Sequence, residues 1–201
     1  ANVLTSAIPA IAIDNVFDSL DIGTNKKEDV TVVSPKSYSS ILRSLYLSSY
    51  LSENSSNEIL NILTKTVFDD KIVAGIPKNV KVAHKIGVFE SGTKKQKAYS
   101  DCGIVYVPNR PYLLCIMTKT DEQKARAHMQ YLSKMIYGYI VATKGGGQNW
   151  ADEVDSTEGV IEGSIVAGGV GVVKAAFDAG DKAGVAVSAE GEGLGVAVGI
   201  G

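Results

Sequence analysis

The sequence has little of what membrane-spanning, metal-binding and nucleic-acid-binding proteins require. Its longest uncharged run in the glycine-rich part, 163–173, has 11 residues, well short of the ~18 apolar residues that span a bilayer. It has only two cysteines and two histidines and no Cys-x-x-Cys motif, so no metal site is expected. Basic and aromatic residues do not interleave, and no Gly-Lys-Ser/Thr follows the glycines at 145–147. These absences argue against a membrane span, a cofactor and a nucleic-acid partner.

The net charge is small overall, but the charged residues are unevenly distributed. The 201 residues have a formal net charge of -2. Residues 149–201 hold two Lys and nine Asp or Glu, a net of -7, so residues 1–148 carry +5. A mild positive charge can steer anionic substrates, although we favour the simpler interpretation of a solvated surface.

Glycine divides the chain into three parts: residues 1–143, a linker at 144–148 and an acidic tail at 149–201. The linker, Lys-Gly-Gly-Gly-Gln, has a flexible composition. The tail has 12 glycines, and its only aromatic residues are Trp150 and Phe177. We favour a loosely ordered tail. The alternative is a helix over 170–183 followed by a hairpin of 184–188 with 194–198.

The first part reads as helices, then an antiparallel meander, then a covering helix, which is an α+β arrangement. Strands are predicted near 80–87, 97–107 and 111–118. Cys102 and Cys115 fall on neighbouring strands, on one face and roughly diagonal; a disulfide is one alternative, and two buried thiols are favoured. The predicted helix starts are Pro9, Ser34–Pro35, and capping boxes at Ser55–Glu58 and Thr120–Gln123.

The most specific signal is Lys85-Ile86-Gly87 at the end of an alternating apolar stretch, with two strands following it. This resembles the Lys-Thr-Gly strand and the next two strands of the penicillin-recognising serine hydrolases, the class A β-lactamase superfamily. The resemblance covers about residues 1–142. It implies a β-lactamase/transpeptidase-like α+β fold that lacks its N-terminal part, with three antiparallel strands from this chain packed against helices.

The resemblance implies substrate-binding roles. Lys85 would bind the substrate carboxylate, Gly87 would let the acyl group approach the strand, and the Val88 N–H would point into the oxyanion hole. Ile86 departs from the family's Thr or Ser and removes a hydroxyl that would bind the same carboxylate. Lys71, fourteen residues before Lys85, stands where some members place a second carboxylate-binding arginine.

The start of the chain resembles the helix that follows the family's Ser-Asp-Asn loop, with Asn2 as a residue that braces the site. The catalytic Ser-x-x-Lys and Ser-Asp-Asn motifs are then expected upstream of this sequence. Two matches by letters are rejected on geometry: Ser91–Lys94 falls in a turn between strands, and Ser100–Cys102 falls on a strand. No nucleophile is therefore expected in this chain.

The loop at 21–33 is shorter than the one that carries the deacylating glutamate in class A β-lactamases, and Glu28 is its only glutamate. Slow deacylation would favour penicillin binding or peptidase chemistry over efficient β-lactam hydrolysis. The resemblance thus implies acyl transfer on β-lactams or D-Ala-D-Ala-type peptides, no cofactor, and an extracytoplasmic location. A complementary upstream half or a second copy would be the protein partner.

The alternative is a catalytically inactive relative that serves as a binding or assembly module. In that case Lys85 is a solvent-facing lysine on an edge strand, where lysine discourages association.

Overall fold

In the described part of the chain, helices lie both before and after the antiparallel meander, as predicted for the α+β arrangement. The computed structural model describes residues 6–22, 24–27, 30–90, 97–142, 173–176, 185–189 and 194–200. The helices in these ranges are α1 (Ala10–Ser19), α2 (Pro35–Tyr46), α3 (Glu53–Leu63) and α4 (Glu122–Ala142). A small hairpin of β1 (Thr24–Lys27) and β2 (Val30–Val33) lies between α1 and α2 in the sequence. The main sheet contains β3 (Val82–Glu90), β4 (Lys97–Val105), β5 (Tyr112–Thr118), β6 (Val173–Ala176), β7 (Val185–Ala189) and β8 (Leu194–Ile200).

Side-chain caps decide where the helices begin. The Ser34 side chain accepts a first-turn N–H of α2 at 3.0 Å, which confirms the predicted start. The two predicted capping boxes, at Ser55–Glu58 and Thr120–Gln123, name the wrong N-cap residues. Ser52, rather than Ser55, caps α3, and the Asp121 carboxylate, rather than Thr120, accepts a first-turn N–H of α4 at 2.9 Å.

The main sheet is antiparallel throughout and has the order β3-β4-β5-β8-β7-β6. The three predicted strands of the meander are confirmed as β3, β4 and β5, and the predicted tail hairpin is confirmed as β7 and β8. The alternative of a helix over 170–183 is wrong, because Val173–Ala176 forms β6. The favoured loosely ordered tail is wrong for these three strands, since β5 offers backbone partners that local composition cannot reveal.

Each face of the sheet packs against a different helical layer. Successive strand residues point to opposite faces. The α4 face buries a cluster that includes Tyr99, Leu114, Ile116 and Met129. The α2/α3 face buries a second cluster, Leu42, Leu45, Leu60, Ala83, Cys102, Ile104 and Cys115. The sheet is therefore the central layer of the core.

Some predictions lie outside the described residues: Asn2, the linker at 144–148 and the Ser91–Lys94 turn. The division of the chain into three parts accordingly stays a prediction. None of the helices in the described ranges is long and apolar enough to cross a membrane. Those same ranges contain no group of three or more residues suited to bind a metal ion.

Candidate functional site

Among the described strands, β3 has one edge that no other strand pairs with. The Tyr106 N–H donates to the Lys81 carbonyl at 2.9 Å just before β3 pairs with β4. In an antiparallel pair, every second residue directs its backbone groups to the partner strand. Lys85 and Gly87 therefore face β4, whereas the N–H and C=O of Val88 face the open edge.

The Ile86 backbone follows the same alternation. Its carbonyl accepts a hydrogen bond from Lys85 Nζ at 2.6 Å, which is possible because this carbonyl is not used by β4. The Ile86 side chain is half-buried and shares its row with Asp101 and Ile116 on the α4 face. The open edge thus presents the backbone groups of Ile86 and Val88 beside the Lys85 ammonium.

Lys85 lies on the α2/α3 face with an exposed side chain. Its cross-strand partner on β4 is Cys102, whose partner on β5 is Cys115, and both of these residues are neutral. Within the ranges that the structure describes, no carboxylate pairs with its ammonium, which donates a hydrogen bond to the Ile86 carbonyl. Its positive charge is therefore available to an anionic ligand at the edge of β3.

Cys102 and Cys115 form a disulfide, so the expectation of two buried thiols is wrong. The two residues are direct cross-strand partners rather than diagonal neighbours, with their Cα atoms 3.9 Å apart. Both side chains are fully buried. The sequence indicated the shared face but not the register, and a shift of two residues separates a diagonal pair from a bonded one.

Gly87 lies opposite Ser100 of β4. A Cβ at position 87 would clash with the Ser100 hydroxyl oxygen. The absence of a side chain at Gly87 therefore leaves room for Ser100 on the same face as Lys85. Sequence reasoning correctly assigned Ser100 to a strand, yet it missed this contact because the partner became apparent only with the register.

His84 and Asp101 form a buried pair on the α4 face behind Lys85. The His84 Nδ1 atom lies 2.8 Å from one Asp101 oxygen, and the other oxygen accepts the Ile72 N–H at 3.1 Å. His84 packs over Gly103, where a Cβ would approach the His84 Cβ to 2.5 Å. His84 is buried on the face opposite Lys85, and its carboxylate partner lies 17 residues away in the sequence.

The negative charge of Asp101 also affects the pKa of Tyr38 on helix α2. Burial raises the pKa of Tyr38 on α2, and the negative charge of Asp101 raises it further. Tyr38 therefore stays a neutral phenol over the physiological range. It packs at the margin of the α2/α3 cluster.

Lys71 is buried beside Asp70 at the α4 side of the sheet. Its ammonium donates to Asp70 Oδ1 at 2.9 Å, and the other Asp70 oxygen lies 2.9 Å from Arg126 Nη1 on α4. Burial tends to raise the pKa of Asp70, but the hydrogen bond and charge of Lys71 together with Arg126 hold it below its usual value. The Lys71 ammonium is thus engaged by an acidic side chain, and its role toward a ligand stays a prediction.

The comparisons with known proteins agree with this arrangement. The family model described as the β-lactamase enzyme family matches residues 2–140, which is more than half of the chain. No curated protein matches the sequence.

Several solved structures share the fold. PBP-A is 22% identical over 64% of this chain and 50% of its own, with a TM-score of 0.55. A β-lactamase from Sphaerobacter thermophilus is 17% identical over 72% of this chain and 58% of its own, with a TM-score of 0.62. A β-lactamase from Chitinophaga pinensis is 19% identical over 64% of this chain and 54% of its own, with a TM-score of 0.55.

The chain therefore spans about half the length of these solved structures. The match to the family model and the arrangement of helices around the antiparallel sheet agree with each other. The chain belongs to the β-lactamase enzyme family, and its fold is that of the class A β-lactamases and penicillin-binding proteins.

Proposed function

We propose that this chain forms the substrate-binding part of an acyl-transfer site for β-lactams or D-Ala-D-Ala-type peptides. The observation that carries the proposal is the open edge of β3, where the Val88 N–H points outward beside the Lys85 ammonium. A backbone N–H of this kind stabilises the oxyanion that develops when a carbonyl is attacked. An ammonium nearby binds the carboxylate that these substrates carry.

The chain would supply binding and electrostatic stabilisation but no nucleophile. Ser91–Lys94 is the sequence's only Ser-x-x-Lys, and Ser100 lies on β4, where its partner is Gly87. Attack by a serine needs a base within hydrogen-bond reach. We therefore expect acylation only when a complementary upstream half carries the nucleophile.

A second candidate is a binding module without catalysis, and Ile86 is the residue that favours it. A threonine or serine there would offer a hydroxyl to the substrate carboxylate, whereas isoleucine offers none. Lys85 would then be the main charged contact for the carboxylate. This candidate predicts reversible binding of peptidoglycan-like peptides without any covalent product.

Intact mass after incubation with penicillin G tests the leading proposal. The chain is measured alone and mixed with a separately expressed upstream half that carries Ser-x-x-Lys. An adduct on the upstream half, formed only in the mixture, would support the proposal. Absence of an adduct under both conditions, together with reversible binding in a fluorescence assay, would support the binding module instead.

Two variants make the test specific to the β3 edge. Val88→Pro removes the outward N–H and should abolish adduct formation, because proline has no backbone donor. Lys85→Met removes the ammonium and should lower the acylation rate at subsaturating penicillin. Lys119→Met, which removes a lysine after β5, is the matched control and should acylate like the unsubstituted chain.

We also propose an extracytoplasmic location, which is typical of the family. The Cys102–Cys115 disulfide supports it, because such bonds persist in oxidising compartments and are rare in the cytosol. Mass spectrometry of thiol-alkylated protein from the native cells would test it. Two alkylated cysteines in the unreduced protein would count against the proposal.

A further inference from the structure

The strand β5 has the sequence and the burial of an interior strand. Its seven residues contain no charge, proline or glycine, and five of them are buried. An apolar strand of this kind needs a neighbour on each edge, because an unpaired edge offers its backbone groups to other chains. The two neighbours here are β4 and the tail strand β8.

Pairing between β5 and β8 covers the whole of both strands, from Tyr112 opposite Ile200 to Thr118 opposite Leu194. The alternation set by the β3–β4 hydrogen bonds continues across the sheet. It directs the backbone groups of Leu113, Cys115 and Met117 to β8, and those of the intervening residues to β4. Six polar backbone groups of β5 therefore depend on the tail. Helix α2 also contacts both strands, so β8 lies against the core.

The sheet's two outer strands differ from β5 in ways that discourage association. The outermost tail strand, β6, has only four residues and includes Lys174. The outer strand at the opposite side, β3, includes the exposed Lys85. Short length and lysine are both features that protect exposed edges. In contrast, an uncovered β5 would be a seven-residue uncharged template of the kind that pairs with identical segments.

We propose that β8 is an in-chain donor strand that closes an edge of β5 which would otherwise pair with β5 of a second copy of this chain. An antiparallel β5–β5 pair can be symmetric, as in most homodimers. The acidic, glycine-rich tail thus has a definite role, which is to keep the sheet of this chain from associating with a second copy. This role is independent of whether the β3 edge binds a β-lactam.

Amide hydrogen exchange of the full chain, measured residue by residue, tests the proposal directly. We expect the amides of Leu113, Cys115 and Met117, which face β8, to exchange as slowly as those of Leu114 and Ile116, which face β4. Fast exchange confined to the first set would overturn the proposal, because it would mean that β8 does not cover the edge.

The variant Ala197→Pro tests the consequence of opening the edge. Ala197 is paired with Cys115, and its N–H faces β5. At a concentration where light scattering shows a monomer, the three β8-facing amides should exchange at least about tenfold faster, while the β4-facing amides stay protected. At higher concentration the variant should form dimers or larger species. Unchanged exchange and unchanged mass would overturn the proposal.

Ala186→Pro is the matched control. Ala186 is the cross-strand partner of Ala197, and the same alternation directs its N–H to β6 rather than toward β5. It should leave exchange in β5 and the oligomeric state unchanged. If Ala197→Pro unfolds the whole chain, shown by loss of protection at Leu114, the exchange pattern of the unsubstituted chain decides the proposal alone.

Discussion

Replacing Asp101 with alanine should destabilise the protein more than the loss of any single hydrogen bond, because two elements depend on this carboxylate. One oxygen accepts the Ile72 N–H at 3.1 Å, and the other lies 2.8 Å from His84 Nδ1. Asp101 is fully buried and His84 nearly so, so water cannot replace the lost partner. Each buried polar group left without a partner costs about 1–3 kcal/mol.

Two such groups together give an expected loss of about 2–6 kcal/mol in the free energy of unfolding. That loss is a large part of the roughly 5–15 kcal/mol that holds a typical domain together. Urea denaturation followed by circular dichroism measures it. Ser133→Ala is the control, because it removes one buried hydrogen bond, from the Ser133 hydroxyl to the Ile72 carbonyl at 2.6 Å, and should cost about 1 kcal/mol.

A double-mutant cycle measures the coupling free energy between His84 and Asp101. His84→Ala combined with Asp101→Ala should cost less than the sum of the two single variants, because each single variant already breaks the same contact. The reasoning would be refuted by an Asp101→Ala variant that is no less stable than Ser133→Ala. Strict additivity in the cycle would refute the coupling of His84 to Asp101.

Three further predictions concern backbone space, the disulfide and acid stability. Gly138→Ala should raise stability by about 0.5–1 kcal/mol, since no atom of the described residues lies within 4 Å of its added methyl. Gly75→Ala should lower stability, since its methyl would lie 2.5 Å from a backbone oxygen of α4, and thermal melts compare the two variants. The double variant Cys102→Ala/Cys115→Ala should lose about 2–3 kcal/mol, and a reducing agent should then destabilise only the unsubstituted protein in urea melts. The pKa of Asp70 is held below its usual 3.8, so the ionised carboxylate stabilises the fold above that pH, and its contribution is lost as the pH falls through the lower pKa of the folded state. Asp70→Asn should therefore be less stable than the unsubstituted protein at pH 7 and differ little from it near pH 2. Thermal melts of the two proteins with the same pH dependence would contradict this role of Asp70.

Local signals were sufficient to identify the described helices and the meander of the first part of the chain, but β1 lies in a segment that was predicted as a loop. Apolar periodicity predicted the helices and the three strands of the meander, and Ser34 with Pro35 marked the start of α2. The caps of α3 and α4 were predicted wrongly, because Ser52 accepts the Ser55 N–H and Asp121 accepts the Lys124 N–H, so each helix is capped by a different residue from the predicted one. The position of Lys85 on β3 also followed from the sequence, because a strand's alternation fixes which residues share a face.

The partners of these residues depended on contacts between distant parts of the chain. Cys102 and Cys115 needed the register of two strands before they could be recognised as a disulfide. Asp101 lies 17 residues from His84 and 29 from Ile72, so no local pattern indicated that one carboxylate joins both.

The sequence by itself determined the α+β class, the family resemblance and the strand that carries Lys85, because periodicity and turn residues act over a few positions. Only the tertiary structure decided that the tail becomes three strands of the same sheet. Small residues such as those of β8 have weak local preferences, so their conformation depends on whether a neighbouring edge can accept their backbone hydrogen bonds. That edge is β5, which lies more than 70 residues earlier in the chain.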